Sequence, residues 1–276
     1  MRFATCNEQF EGWDFGRVCR FVRSVGYLGL EVAPFTLAES VTALSPAAKA
    51  DLRRQAEDAG VQVIGLHWLL AKTEGLHLTY PDYAVRQRTA DYLVALGETC
   101  RDLGGTLMVF GSPKQRALLP GVSRAQAYGW AAETFRSVMP ALADLGVTLC
   151  MEPLSESETD FVNTCEEALE LGRMVDHPNF VLHLDVKAMY TEPTPVTELI
   201  RWHGAQAGHF HANDANRRGP GFGDVDFVPI FQALRDSGYA GWVSVEVFDY
   251  TPDPETIARQ SLEYMTRCLA QTTAHV

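Results

Sequence analysis

The run VTLCME at residues 147–152 is strand-length, alternates in character and ends on a carboxylate. With the two-residue period of a strand, Val147, Leu149 and Met151 share one face, while Thr148, Cys150 and Glu152 share the other. Three later runs repeat this arrangement. In VLHLD (181–185), Val181, His183 and Asp185 lie opposite Leu182 and Leu184. In GHFHAND (208–214), His209 and His211 lie opposite Phe210. In VSVEV (243–247), the three valines leave Ser244 and Glu246 on the other face. If the apolar residues pack outward against helices, Glu152, Asp185, His211 and Glu246 point toward one axis from the C-terminal ends of four successive strands. That is the end of a (β/α)8 barrel at which sites are built.

Reading outward from these four, strand-like runs also cover Phe3–Cys6, Leu28–Val32, Val61–Leu66 and Thr106–Phe110. Together with Val147–Glu152, Phe180–Asp185, Gly208–His211 and Val243–Val247 they make eight. Helical patterns intervene, among them Asp82–Leu103, Ser123–Leu145, Cys165–Val175, Asp226–Ser237 and Pro254–Leu269, and such alternation favours a parallel sheet wrapped by helices. Ser123 with Gln126 has the spacing of a capping box, Asn163 with Glu166 has a similar one, and Asp226 precedes an apolar helix. Gly26, Gly60, Gly146 and Gly238 stand where helices close before the next strand. A chain of 276 residues fits one barrel of roughly 250 residues, so the expectation is α/β, a single (β/α)8 TIM-barrel domain over 1–276.

With 46% hydrophobic and 21% charged residues, the chain has enough apolar material for a large core and is not disordered in composition. A net charge of −12 disfavours a nucleic-acid partner, whose affinity comes mainly from Lys and Arg. The N-terminus lacks a signal-peptide pattern and no apolar run approaches the roughly 20 residues that span a bilayer, so a cytoplasmic protein without membrane contact is expected. The six cysteines are scattered without a CxxC pair, the pattern of buried reduced thiols.

Three carboxylates and one imidazole converging in a core are costly unless a cation joins them. The set is oxygen-rich and suits Mn²⁺, with Mg²⁺ or Co²⁺ as alternatives. The longest loops after strands, His67–Pro81, Gly111–Val122 and His211–Asp224, fall on the same face and are expected to wall a site. Glu31 is expected to hydrogen-bond in its floor, and His183 and His209 one layer below their ligand neighbours. Trp13 and Trp68 are candidates for an apolar wall, and His67 for a group reaching substrate. Lys114 and Arg116 are expected as a solvated surface pair, with an anion site as the alternative.

These residues resemble the sugar isomerase and epimerase superfamily with xylose-isomerase-like TIM barrels, and within it the ketose 3-epimerases. The resemblance rests on Met151-Glu152-Pro153, His183-Leu184-Asp185, Gly208–His211 through Asn216-Arg217, Pro220–Gly223 and Val245-Glu246-Val247. It implies a metal held by Glu152, Asp185, His211 and Glu246, with Glu152 and Glu246 also acting as the acid and base. It further implies that Glu158 orients the first glutamate and touches substrate, that Arg217 anchors a substrate oxygen, and, by analogy, that the protein is a dimer or tetramer. One departure is evident: the histidine that usually follows the strand-six aspartate is absent, the run being Asp185-Val186-Lys187-Ala188-Met189, and Lys187 offers a positive charge one position away. The expected reaction is 3-epimerisation of a ketose through a metal-stabilised enediolate. An aldose–ketose isomerase, or a hydratase or dehydratase of a keto sugar or inosose, would use the same site. A related abasic-site endonuclease is disfavoured by the acidic balance, and a non-catalytic sugar-binding barrel stays open.

Overall fold

A computed structural model describes residues 1–273; the last three residues of the expected 1–276 domain lie outside them. Among the described residues, eight parallel strands close into a barrel in the order of the chain. They are β1 (Arg2–Cys6), β2 (Gly29–Val32), β3 (Gln62–Leu66), β4 (Leu107–Phe110), β5 (Thr148–Met151), β6 (Phe180–Asp185), β7 (Ala207–Ala212) and β8 (Trp242–Val245). The helices are α1 (Phe15–Val25), α2 (Pro46–Ala59), α3 (Tyr83–Leu103), α4 (Arg124–Asp144), α5 (Cys165–Val175), α6 (Val186–Met189), α7 (Val196–His203), α8 (Phe227–Asp236) and α9 (Pro254–Ala270). Pairing of Arg2 with Trp242 through Thr5 with Val245 seals the cylinder. No helix among the described residues is long and apolar enough to cross a membrane.

Helix starts follow the local chemistry. Ser123 and Gln126 form the expected capping box, and Asp226 accepts from the Val228 N–H to start α8. The start of α5 differs from expectation by one residue: Thr164, not Asn163, is the cap and accepts from the Glu167 N–H. Asn163 instead directs its side-chain amide to the carbonyls of Leu154 and Thr159, which ties down the preceding loop. All six cysteines are buried and free.

Strand parity separates two apolar regions. Val147, Leu149, Met151, Leu182, Leu184, Phe210, Val243, Val245 and Val247 belong to the large core between sheet and helices. The barrel interior is filled low down by two small clusters, Ala4, Ile64 and Trp242 and Leu107, Val109 and Cys150 with Val181 against them. Above these the inward residues become polar.

Two glycines make the interior possible. A Cβ on Gly208 would lie 2.4 Å from Val181 Cγ2 and 2.9 Å from Cys150 Sγ. At this point the β6–β7 register shifts, so that His183 pairs with His209 and Asp185 with His211. The irregularity brings the inward residues of the two strands level with each other. On the other side of the barrel, a Cβ on Gly65 would lie 2.2 Å from the Leu107 carbonyl oxygen, a backbone atom with little freedom to withdraw. Replacement Gly65→Ala should therefore destabilise the protein by roughly 1–3 kcal/mol through overpacking. Equilibrium urea unfolding checks this, and an unchanged midpoint would contradict the β3–β4 packing described.

Candidate active site

The strands end and the loops begin where the polar residues gather. Glu152 and Glu246 each lie just beyond the last residue of their strands, β5 and β8, whereas Asp185 closes β6 and His211 stands inside β7. All four are buried. Glu152, His183, Asp185 and His211 each place a donor atom within 4.8 Å of those of the other three. Glu246 joins through His211, whose Nδ1 is 2.9 Å from Glu246 Oε2. Neither of these two atoms has a hydrogen-bond partner, although both are buried. They approach each other closely without being aligned for a hydrogen bond. The structure thus assembles all four residues expected at the rim and adds His183, expected only as a neighbour one layer down.

The electrostatics describe the same conflict. Burial pushes the Glu152 carboxyl well above the ordinary carboxylate range, and the nearby Glu246 and Asp185 raise it further. Burial likewise raises Asp185, against the pull of Lys187. For Glu246 burial opposes ionisation, but His211, His67 and the Trp68 hydrogen bond outweigh it and hold the group below its usual value. Like charges crowded in a buried rim favour either protonation or a cation. The orphaned Nδ1 and Oε2 and the three carboxylates fit a divalent cation.

Beneath the rim lies a polar floor. His211 Nε2 is 3.1 Å and His209 Nε2 is 2.8 Å from Glu31 Oε2. Glu31 accepts from the far side of His211, so Nδ1 is the nitrogen left facing Glu246. Burial opposes ionisation of Glu31, but His209 and His211 outweigh it and its pKa lies well below the usual value. The hydrogen-bonding role expected of Glu31 is thus specific: it orients two histidines. His67 is buried, with Nε2 2.8 Å from Glu8 Oε2; it lies under the cleft and is not among the residues lining it. Glu8 escaped sequence reading, although the parity applied to β5–β8 would have aligned it with Cys6 at the end of β1.

Above the rim a cleft of about 350 Å³ opens, lined by Trp68, Lys72, Ser112, Lys114, Arg217 and Phe248 as well as by Glu152, Glu158 and Glu246. All three long loops contribute to it. Trp68 Nε1 donates to Glu246 Oε1 at 2.7 Å, and its ring stacks on Phe248 with centroids 6.0 Å apart. Trp13 plays no part in this wall: it packs on Phe10 and Phe21. Trp68, Ser112 and Arg217 all have left-handed backbone, with φ of 52°, 43° and 72°. Such conformations cost of order 1–3 kcal/mol each and concentrate at functional sites.

Lys187 Nζ lies 2.8 Å from both carboxylate oxygens of Glu158 and 4.7 Å from the Phe248 ring centre. Burial works against the Lys187 charge, but Asp185 and Glu158 outweigh it and raise its pKa. The main chain of the departing segment is held as well, because Asn213 accepts from the Lys187 N–H at 2.7 Å and donates to Asp185 Oδ2 at 2.6 Å.

The solvated pair expected at Lys114 and Arg116 is half wrong. Lys114 is exposed, but Arg116 is fully buried. Its guanidinium donates to the carbonyls of Glu152 at 2.6 Å and Val162 at 3.0 Å, bracing the loop that carries Glu152. Burial lowers its pKa to about 10, so it stays protonated at neutral pH. A loop cation is expected at the surface because burying its charge is expensive; here two carbonyls distant in sequence receive it.

Fold and rim together define a (β/α)8 barrel with a cation-ready acidic site at its C-terminal end. The family model described as xylose isomerase-like TIM barrel matches residues 19–268, and the chain belongs to that family. A D-psicose 3-epimerase from Agrobacterium fabrum is 29% identical over 246 residues, covering 85% of this chain and 79% of that protein. Another, from Ruminiclostridium cellulolyticum, is 36% identical over 116 residues, 42% of this chain and 40% of that protein, so the match spans less than half of that relative's length. An L-ribulose 3-epimerase structure superposes with a TM-score of 0.85 at 22% identity, covering 98% of this chain and 94% of that one. A D-psicose 3-epimerase structure in the presence of D-fructose gives 0.84 at 24%, covering 98% and 99%. At these identities the structural likeness establishes the fold.

Two substitutions test the bracing of Glu152. A Cβ on Gly111 would lie 2.3 Å from Glu152 Oε2. Gly111→Ala should displace that carboxylate and weaken by roughly tenfold or more the binding of any divalent cation held there, measured by calorimetric titration. Arg116→Met should cost about 3 kcal/mol, because two buried carbonyls lose their donor. Denaturant unfolding reads that loss, and a wild-type midpoint would show that the guanidinium does not brace the loop.

Proposed function

We propose that the protein is a divalent-metal-dependent sugar epimerase that inverts C3 of a ketose. The observation that carries this reading is the pair Glu152 and Glu246, two buried carboxylates that line one cleft, the first within a donor set suited to a cation and the second joined to it through His211. The ketose 3-epimerase relatives support the same chemistry. Mn²⁺ is the proposed ion, since three carboxylates and an imidazole form a hard, oxygen-rich set. Held by Glu152, Asp185, His211 and Glu246, it would supply Lewis-acid polarisation of the sugar oxygens next to the reacting carbon.

The remaining work falls to side chains of the chain itself. One of the two glutamates removes the proton from C3, and the C–H electron pair moves toward the C2 carbonyl to give an enediolate. The other glutamate returns a proton to the opposite face of C3. No net oxidation occurs, and the two glutamates exchange protonation states, so the reverse reaction uses them in the opposite order. Trp68 fixes Glu246 through its indole N–H and, with Phe248, keeps water from one side of the cleft. Glu158 and Arg217, which line the cleft, are the proposed partners of the sugar hydroxyls. Lys187 holds Glu158 in place.

Incubation of the Mn²⁺-loaded enzyme with a panel of free and phosphorylated ketoses in D2O tests the reaction directly. Deuterium should enter at C3, and Glu152→Gln and Glu246→Gln should each slow this by roughly 10²–10⁴-fold. Exchange at C1 instead would make the protein an aldose–ketose isomerase. A Lys187→Met variant, which releases the Glu158 carboxylate, should raise KM by about tenfold while kcat changes little, the pattern of lost uniform binding.

A further inference from the structure

Four histidines stand inside the upper barrel, and three have a carboxylate partner. His67 is paired with Glu8, and His209 and His211 with Glu31. His183 is different. It is fully buried, and neither Nδ1 nor Nε2 has a hydrogen-bond partner. An unsatisfied buried polar group costs about 1–3 kcal/mol, and this ring carries two such atoms. Packing does not require an imidazole there, since a hydrocarbon side chain would fill the same space without orphaned nitrogens.

The surroundings supply a use for the ring. His183 has a donor atom within 4.8 Å of those of Glu152, Asp185 and His211. Its ring centre is 4.2 Å from that of His211, edge to face, so the two do not stack in a way that hides their nitrogens. His183 and Asp185 share the inward face of β6, about 6.6 Å apart along the strand, and both can reach a point between their levels. The shift at Gly208 places His209 and His211 opposite these two residues, which brings His211 into the same group.

We infer that His183 is a further metal ligand, reaching from below the cation that Glu152, Asp185, His211 and Glu246 hold from the rim. The inference rests on the proposed metal site and extends it. A second imidazole makes the donor set richer in nitrogen, which moves its preference from Mg²⁺ toward Mn²⁺ and Co²⁺.

Pulsed electron paramagnetic resonance of the Mn²⁺-loaded protein counts coordinated imidazoles without reference to turnover. Two coupled imidazole nitrogens are expected in the wild-type protein and one in His183→Met, whose Mn²⁺ affinity should fall by roughly 100-fold. Without metal, His183→Met should melt at or above the wild-type temperature, because it removes two orphaned nitrogens; a marked loss of apo stability would assign the ring a structural role instead and overturn the inference. A single imidazole in the wild-type protein would overturn it too while leaving the rim site intact. Failure of the wild-type protein to bind Mn²⁺ at all would overturn both the inference and the proposed metal site. The wild-type count does not depend on how well the variant folds.

Discussion

Three carboxylates, Glu152, Asp185 and Glu246, are buried with His211 at the rim of one barrel, and their mutual repulsion is the constraint around which the upper structure is arranged. Burial and mutual proximity drive Glu152 and Asp185 toward protonation. The surrounding groups act against that tendency. Asp185 accepts from the Ala188 N–H and from Asn213, Glu246 accepts from Trp68, and Lys187 places a positive charge beside Glu158 above them. None of these neutralises all three. A divalent cation held among them would offset two of the three negative charges at once, and such binding would give the acidic rim a purpose that stability alone does not.

The floor and the walls serve that rim in different ways. Glu31 is acceptor to both His209 and His211, so a single buried carboxylate sets the orientation of the histidine that faces Glu246. Arg116 grips the carbonyls of Glu152 and Val162 and so controls the segment leaving β5. Gly111 leaves the space that the Glu152 carboxylate occupies. The left-handed backbone at Trp68, Ser112 and Arg217 is local strain held by tertiary contacts, which is why it sits in the cleft wall and not in the barrel.

Much of this was legible in the chain because strand geometry is local. A period of two assigns a face to each residue, and an apolar run identifies the outward face without knowledge of its neighbours. Hence Thr148 to Glu152, His183 to Asp185, His209 to His211 and Ser244 to Glu246 could be placed from sequence, as could the capping box at Ser123 and Gln126. The same period aligns Glu8 with Cys6 beyond the end of the first strand. The one-residue difference between Asn163 and Thr164 arose because both are good caps, and the loop carbonyls of Leu154 and Thr159 decided which side chain was free.

The alternation of strands and helices and the inward parity of Glu152, Asp185, His211 and Glu246 were therefore determined by the sequence alone, since each depends on residues a few positions apart. Only the tertiary structure decided that Arg116 is buried, that Trp68 holds Glu246, that Trp13 stands outside the cleft and that His183 has no partner. Each of those outcomes turns on groups that the closing of the barrel brings together from distant positions. Two side chains cannot reveal from their own neighbours whether a third, far along the chain, will arrive to satisfy them.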